Sequence, residues 1–124
     1  MKNPKTKVLI VDDEEGFTRL AKLTLTQYEL CEENNSAQAL ATAKRFQPDL
    51  ILLDVMMPNL DGGDVAAQIR SEPSLEHVPI VFLTAIVTKH EARSRPHLGG
   101  YPFISKPITA TALAEKIEHY LKAG

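Results

Sequence analysis

Five polar side chains stand where four short apolar runs of this chain end. Asp12 and Asp13 follow the first run and Asp54 follows another, while Thr84 and Lys106 close two further runs. If these runs are parallel strands, their carboxyl ends share one edge of a sheet, which is where open α/β sheets bind ligands. Three carboxylates, a hydroxyl and an ammonium would then meet in one pocket.

The three carboxylates predict a metal site. Clustered anions raise one another's pKa unless a cation joins them. Oxygen ligands select a hard ion such as Mg²⁺, which prefers octahedral coordination and retains several waters. Two carboxylates, a backbone carbonyl and a phosphate oxygen would suit it. The pattern therefore favours Mg²⁺ beside a phosphate-bearing substrate.

Asp54 is the best candidate for a nucleophile, because a carboxylate can attack phosphorus and form an aspartyl phosphate. The other groups would align the phosphoryl group and stabilise charge on its oxygens, with Mg²⁺ on one, Lys106 on a second, and Thr84 with a loop N–H on the third. Each feature also has a plainer interpretation. Asp12 and Asp13 could cap a helix, and the other residues mean little singly. Coincidence of all five at strand ends is the weaker explanation.

The elements that must position these residues follow from the apolar pattern. Short β-rich runs alternate with stretches of helical spacing, as in βα units around a parallel sheet. Continuously apolar runs at 7–11, 50–53 and 80–83 predict central strands, whereas 28–33 and 103–105 predict strands toward the edges. The predicted fold is α/β, a five-stranded parallel sheet in the order 2-1-3-4-5, doubly wound and flavodoxin-like with helices on both faces.

Helices are predicted between and after these strands. An apolar stripe predicts the first within 17–25, and residues between Gly62 and Pro73 predict a short third helix. Ser36 is expected to cap the second helix, which Pro48 ends. Thr109 is expected to cap the last one. Helices on both faces would cover the continuously apolar strands.

Length and charge bound the function. The 124 residues fit one domain, predicted over 1–124 with a core of about 7–122. A net charge of -2 provides no field that would hold nucleic acid or an anionic membrane. The apolar run 8–11 is too short for a signal peptide or a membrane span, which predicts a cytoplasmic protein. Cys31, the single cysteine, is interpreted as a small apolar strand residue.

The motifs, in their order and spacing, resemble the receiver domain of two-component response regulators, of the chemotaxis-regulator type, over nearly the whole chain. The matching segments are VLIVDDEEG (8–16), NNSAQAL (34–40), PDLILLDVMMPNLDG (48–62), VPIVFLTA (78–85) and FISKP (103–107). The third of these segments is highly specific. The set leaves little room for another family.

The resemblance implies a role for each acidic residue. Asp54 corresponds to the phosphoacceptor. Asp12 and Asp13 correspond to the acidic pair at Mg²⁺, with Asp13 the direct ligand. The backbone carbonyl of Met56 would complete the protein's share of the metal ligands.

The resemblance also implies a switch. Thr84 and Lys106 correspond to the hydroxyl and ammonium that sense the phosphoryl group, and the Lys106–Pro107 bond is expected to be cis. Phosphorylation would draw Thr84 inward, and an aromatic residue on the last strand would follow, remodelling the face made by the fourth helix, fifth strand and fifth helix. Phe103 occupies that aromatic position, although an ordinary buried strand aromatic is an equally open interpretation.

The function implied is a phosphorylation-dependent signalling switch, phosphorylated on Asp54 by a sensor histidine kinase or a histidine phosphotransfer protein. It would regulate a downstream effector protein or output domain. The domain would catalyse only its own phosphorylation and slow hydrolysis, so it is not classed as an enzyme. Met56 and Ile86 occupy two positions that tune phosphoryl lifetime in the family. Since neither side chain can hydrogen-bond an attacking water, slow self-dephosphorylation is expected.

Two other functions fit the same fold class. A Mg²⁺-dependent aspartyl-phosphate phosphatase usually has a second Asp two residues after its nucleophile, where this chain has Met56. A flavin-binding carrier would need a hydroxyl-rich phosphate loop after the first strand, where this chain has the acidic segment 12–16. Anion repulsion argues against phosphate binding at that segment. Both alternatives are disfavoured.

One stretch departs from the family pattern. Residues 88–95 are charged, and Pro96 with Gly99 and Gly100 resists a regular helix. Receivers usually carry a regular fourth helix in this stretch, so here we expect it to be short, bent or mobile. The output face is therefore expected to be atypical.

Overall fold

Strands and helices alternate along the chain. The computed structural model describes residues 5–55, 62–84, 97–98 and 101–123. The strands and helices are β1 Lys7–Val11, α1 Glu15–Thr24, β2 Glu29–Glu33, α2 Ala39–Phe46, β3 Leu50–Asp54, α3 Gly62–Arg70, β4 Ile80–Thr84, β5 His97–Leu98, β6 Tyr101–Ser105 and α4 Ala110–Ala123. Single-turn 3-10 helices at Ser36–Gln38 and Pro73–Leu75 precede α2 and β4. Among these residues, no helix combines the length and apolar character needed to cross a membrane.

The sheet has the order β2-β1-β3-β4-β6-β5. All pairings from β2 to β6 are parallel, so the predicted α/β fold with five parallel strands in the order 2-1-3-4-5 is confirmed, with β6 as the fifth parallel strand. The three continuously apolar runs form the central strands β1, β3 and β4. Every residue of β3 and β4 is buried, because helices cover both faces. The half-polar strand β2 forms one edge, as predicted.

A two-residue strand at the opposite edge was not predicted. β5 pairs antiparallel with the start of β6, with His97 opposite Pro102 and Leu98 opposite Tyr101. The last parallel strand therefore begins at Tyr101, two residues before the predicted start at Phe103. The two additional residues, Tyr101 and Pro102, are the ones that pair with β5. The predicted fourth helix at 88–95 lies outside the described residues.

Two apolar layers hold the sheet. On one face, Val65 and Ile69 of α3 pack with Ala43 of α2 against strand residues such as Leu53. On the other face, Ala21 of α1 packs with Leu113 and Ile117 of α4 against the alternate strand residues. The alternation arises because successive side chains of a strand point to opposite faces. The core therefore fixes the strands so that their carboxyl ends lie along one edge.

The cap before α2 differs from the prediction. Asn35 Oδ1 accepts a hydrogen bond from the Ala37 N–H at 3.0 Å, so Asn35 caps the 3-10 turn that leads into α2. Ser36 is 3% exposed and belongs to that turn. The prediction of a Ser36 cap was wrong because both residue types cap helices, and only the start of the turn decides which one does.

The end of α2 and the start of α4 agree with the predictions from the sequence. α2 ends at Phe46, just before Pro48, which cannot continue the helix. The Ala112 N–H donates to Thr109 Oγ1 at 3.1 Å, so the predicted cap of α4 is confirmed. This cap begins the helix directly after the loop that carries Lys106.

Candidate functional site

Three carboxylates converge at the carboxyl ends of β1 and β3. One oxygen atom from each of Asp12, Asp13 and Asp54 lies within 4.8 Å of the others. Asp12 is fully buried, Asp54 is 5% exposed, and Asp13 is exposed. Val11 and Leu53 are register partners in the parallel β1–β3 pairing, which places the residues that follow them side by side. Strand register therefore creates the acidic cluster.

Thr84 lies at the same edge, at the end of β4. Asp54 is the register partner of Leu83, and the Val55 N–H donates to the Leu83 carbonyl at 3.1 Å. Thr84 is fully buried, and strand alternation places its side chain on the same face as Phe82. The hydroxyl is thus held inside the structure beside the strand that carries Asp54.

Lys106 enters the site from the loop after β6. Its backbone N–H donates to the Thr84 carbonyl at 2.8 Å, which anchors the loop to β4. Its Nζ donates to Asp12 Oδ2 at 2.5 Å and to Glu14 Oε1 at 2.8 Å, and lies 4.7 Å from the centroid of the Phe17 ring. The Lys106–Pro107 peptide bond is cis. The ammonium group is therefore held within the acidic cluster.

The electrostatics of Lys106 reflect these contacts. Burial lowers the pKa of its ammonium group, but the hydrogen bonds with Asp12 and Glu14 and the negative charges of Asp12 and Asp54 raise it more. The resulting pKa lies above the ordinary lysine value, so Lys106 is charged at neutral pH. These contacts set one ammonium against four carboxylates, those of the cluster and Glu14. The excess of negative charge favours a further cation.

The donor set fits a hard divalent cation. The cluster offers carboxylate oxygens, the ligands that Mg²⁺ prefers. Ligand oxygens of one octahedral Mg²⁺ lie at most about 4 Å apart, given metal–oxygen distances of about 2.0–2.1 Å. The observed 4.8 Å spacing is slightly wider. An ion bound there would therefore draw the carboxylate oxygens slightly closer together.

Other residues predicted for the site fall elsewhere. Met56, whose carbonyl was expected to complete the metal ligands, and Ile86 lie outside the described residues. Phe103 on β6 is 9% exposed and belongs to the core cluster on the face covered by α2 and α3. It is the register partner of Phe82, two residues before Thr84 on the neighbouring strand. Phe103 and Thr84 therefore lie on the same face of adjacent strands.

Sequence reasoning missed two residues that contact the site. Glu14 binds Lys106, and Asn34 Nδ2 donates to the backbone carbonyl of Asp12 at 2.8 Å. Glu14 directly follows the acidic pair in the sequence, so its charge was a visible signal. Asn34 directly follows β2, and applying the strand-end rule to that strand as well would have identified it.

The chain matches a known family. Residues 8–118 match the response regulator receiver domain. The chain is similar to the response regulator PleD of Caulobacter vibrioides strain NA1000 / CB15N, with 38% identity over 113 residues that cover 90% of this chain and 25% of PleD. It is also similar to the polar-differentiation response regulator DivK of Brucella anthropi, with 32% identity over 120 residues that cover 95% of this chain and 97% of DivK.

Other relatives are longer than this chain. The probable transcriptional regulator ycf27 of Pyropia yezoensis is 35% identical over 124 residues, which cover 98% of this chain and 50% of that protein. The chain thus spans about a quarter of PleD and half of this ycf27 protein. Among solved structures, the chemotaxis protein CheY4 of Vibrio cholerae superposes with a TM-score of 0.80 at 26% identity, covering 93% of this chain and 98% of CheY4.

Proposed function

Because this chain belongs to the response regulator receiver domain family, we propose that it is a signalling switch controlled by Mg²⁺-dependent phosphorylation of Asp54. The observation that carries the proposal is the convergence of Asp12, Asp13 and Asp54 within 4.8 Å at one sheet edge. Lys106, paired with Asp12, supplies a cation at the same place. Acidic groups, a cation and a buried strand-end carboxylate are the parts that phosphoryl transfer to Asp54 requires.

The acidic cluster is proposed as the Mg²⁺ site. Asp12, Asp13 and Asp54 would hold the ion, and the Met56 backbone carbonyl is proposed as a further ligand from the family resemblance. When bound, Mg²⁺ offsets the repulsion between the carboxylates and stabilises negative charge on the phosphoryl oxygens. The surplus of carboxylates over ammonium groups in the observed contacts supports this assignment.

Asp54 would act as the nucleophile. One of its carboxylate oxygens attacks the phosphorus of a phosphohistidine on a sensor histidine kinase or phosphotransfer protein. The new P–O bond forms as the P–N bond breaks, and the imidazole leaves with the electron pair and takes up a proton. Near-complete burial of Asp54 keeps the acceptor oxygen in one place, which favours in-line geometry.

Lys106 and Thr84 would recognise the phosphoryl group. The Lys106 ammonium would pair with one phosphoryl oxygen, because its bonds to Asp12 and Glu14 use two of its three N–H donors. The Thr84 hydroxyl would donate to another oxygen. Both groups are aligned by the backbone hydrogen bond from Lys106 to Thr84. The two groups that sense phosphorylation are therefore mechanically linked.

The output would run from Thr84 to Phe103. These residues lie on one face of neighbouring strands, so movement of Thr84 toward the phosphoryl group would change the space available to Phe103. The change would alter the surface around β6 and α4 that a downstream effector or output domain contacts. Structures with and without a phosphoryl mimic should show both side chains shifted. An unchanged Phe103 rotamer and Thr84 position would contradict this step.

The domain would serve as a switch rather than as an enzyme with turnover. The apolar residues Met56 and Ile86 cannot hydrogen-bond a water for attack on the phosphoryl group, so hydrolysis should be slow. A Met56→Asn substitution is expected to speed the decay of phosphorylated protein. An unaltered decay rate would count against this account.

Mass spectrometry tests the central proposal. The protein is incubated with Mg²⁺ and a small-molecule phosphodonor, alongside Asp54→Ala and the matched control Asp49→Ala, whose residue precedes the same strand. Wild type and Asp49→Ala should each gain one phosphoryl group, and chelation of Mg²⁺ should prevent the gain. Asp54→Ala should gain none. Phosphorylation retained in Asp54→Ala would overturn the assignment.

A further inference from the structure

The two peptide groups on either side of the Asp12 Cα are both tied to the end of β2. The Asp12 N–H donates to the Glu33 carbonyl at 3.0 Å, and the Asp12 carbonyl accepts from Asn34 Nδ2 at 2.8 Å. Both bonds lie one step beyond Val11 and Glu33, the last register partners of β1 and β2. Hydrogen bonds from the end of β2 therefore fix the backbone at Asp12, the first residue of the acidic pair.

The hydrogen bonds around Asn34 have one consistent direction. A carbonyl can only accept, so Asn34 must present its NH₂ group to Asp12. The same NH₂ group donates to Thr18 Oγ1 at 2.9 Å. The single Thr18 hydroxyl proton then remains for Glu32 Oε1 at 3.0 Å or the Glu15 carbonyl at 3.2 Å. Asn34 thus acts as a double donor, and reversing its amide would lose the bond to the Asp12 carbonyl and divert the Thr18 hydroxyl proton from Glu32 or Glu15.

This arrangement is anchored in a helix as well as in a strand. Thr18 is fully buried on α1, and its partner Glu32 on β2 also pairs with Arg19 at 3.4 Å. Among the described residues, no buried side-chain nitrogen or oxygen lacks a hydrogen-bond partner. A satisfied polar network specifies one side-chain arrangement. Asn34 is therefore held between α1 and β2 in one orientation.

The orientation of the Asp12 carbonyl fixes the backbone position from which the Asp13 side chain extends. The peptide unit is planar, so a fixed Asp12 carbonyl also fixes the N–H and Cα of Asp13. Asp13 is exposed and outside both core clusters, so core packing does not position it. We infer that Asn34, held by Thr18, is a positioning residue that aims Asp13 at the bound cation. The inference rests on the Mg²⁺ site of the proposed function.

A pair of neighbouring asparagines provides the test. Asn34→Asp replaces the double donor with an acceptor, whereas Asn35→Asp adds the same charge one residue away and keeps the side-chain oxygen that caps the 3-10 turn. Added negative charge alone would tighten cation binding. The positioning role predicts the opposite sign for Asn34→Asp, a Kd for Mg²⁺ raised about tenfold, as for other residues that orient metal ligands. Titration calorimetry with Mg²⁺ measures both variants at pH 8, where an added carboxylate is ionised.

Three further variants keep the test independent of folding. Asn34→Ala removes both donors without adding charge and should also raise the Kd. Thr18→Val should raise it by a smaller factor, and Thr18→Ser, which retains the hydroxyl, should restore wild-type binding. Urea unfolding of each variant identifies any that are not folded at the titration temperature, and those are compared at a lower temperature.

The outcomes separate the two proposals. Unchanged Mg²⁺ affinity in both Asn34 variants, or an equal loss in Asn35→Asp, would overturn the positioning role and leave the proposed function intact. A wild-type protein with no saturable Mg²⁺ binding would overturn the metal site and the inference with it. Weakened binding in Asn34→Asp with tighter or equal binding in Asn35→Asp supports the inference.

Discussion

At the carboxyl end of the sheet, three carboxylates share one cluster with a single lysine, whereas at the amino end two carboxylates each have their own donor. Asp49 Oδ2 accepts from the Lys7 backbone N–H at 2.8 Å. The Glu118 carboxylate on α4 accepts from the Tyr28 hydroxyl. At the carboxyl end, Asp12, Asp13 and Asp54 lie together, and the Lys106 ammonium pairs with Asp12. The ratio of carboxylates to donor groups in these contacts is therefore higher at the carboxyl end than at the amino end.

This difference separates structural from functional use of charge. A hydrogen bond to a charged group contributes to stability when each partner is satisfied. Like charges that converge destabilise the fold until a ligand neutralises them. The buried strands β1 and β3 beneath the cluster supply the stability that the converging charges cost. We expect the amino end to respond to mutation through stability alone, and the carboxyl end to respond through ligand binding as well.

The largest expected effect is at Lys106. Lys106→Met would leave the fully buried Asp12 carboxylate without its ammonium partner, so the free energy of unfolding in Mg²⁺-free buffer should fall by about 3 kcal/mol. Urea unfolding monitored by circular dichroism measures the change. The matched variant at the amino end is Lys7→Met, which keeps the backbone bond to Asp49 and removes only the contacts of Lys7 Nζ with the Phe46 carbonyl and ring, so a smaller loss of about 1 kcal/mol is expected. An equal fall in the free energy of unfolding of the two variants would contradict the difference proposed between the two ends of the sheet.

Magnesium should stabilise the protein by almost as much. A ligand at 100 times its Kd stabilises the folded state by about 2.7 kcal/mol. Wild type and Asp49→Asn should both show this shift in the urea midpoint, while Asp13→Asn should lose most of it. The same titration with Ca²⁺ tests the preference for the smaller ion. A shift retained in Asp13→Asn would place the cation elsewhere.

A smaller effect is expected at Tyr28. Tyr28→Phe removes the hydroxyl that donates to Glu118, which is itself exposed and can be rehydrated, so the loss should be about 1 kcal/mol. Differential scanning calorimetry with and without Mg²⁺ measures it. The Mg²⁺ response should match that of wild type. A changed Mg²⁺ response would show that the two ends are coupled.

The smallest effect concerns alkaline pH. Burial raises the pKa of the Tyr28 hydroxyl, and the hydrogen bond and negative charge of Glu118 raise it further. The unfolded chain releases this proton at about pH 10, but the folded protein retains it. The contribution of Tyr28 to the free energy of unfolding should therefore be fully present below that pH, and the free energy should decline above it. Urea midpoints between pH 7 and 11 should decline less in Tyr28→Phe, with a remainder from Tyr120, whose pKa burial also raises. Identical slopes would contradict the assignment.

The strands were more predictable than their neighbours. Continuous apolar runs identified β1, β3 and β4 because both faces of these strands are covered, which confines polar residues to the strand ends. β5 was missed because its two residues carry no periodic signal, and only their pairing with β6 makes them a strand. Ser36 was chosen over Asn35 because local chemistry allows either to cap.

The residues of the site also differ in how far the sequence predicted them. Asp54, Thr84 and Lys106 were predictable because each stands at the end of an apolar run, although the run before Lys106 is brief. Asn34 also stands at a strand end, so the same rule would have selected it, but an asparagine in a loop has many ordinary roles and only its contacts reveal this one. Glu14 was visible as a charge, but its contact with Lys106 joins residues that are distant in sequence.

By itself, the sequence determined the kind of fold, the family and the residues that end the central strands, because apolar periodicity and strand-end chemistry are local properties. Only the tertiary structure decided which of these residues touch. Register placed Asp12 beside Asp54, a loop brought Lys106 to Asp12 and Glu14, and β2 with α1 positioned Asn34 under the acidic pair. Distances between strands depend on packing across the whole core, which no short segment encodes.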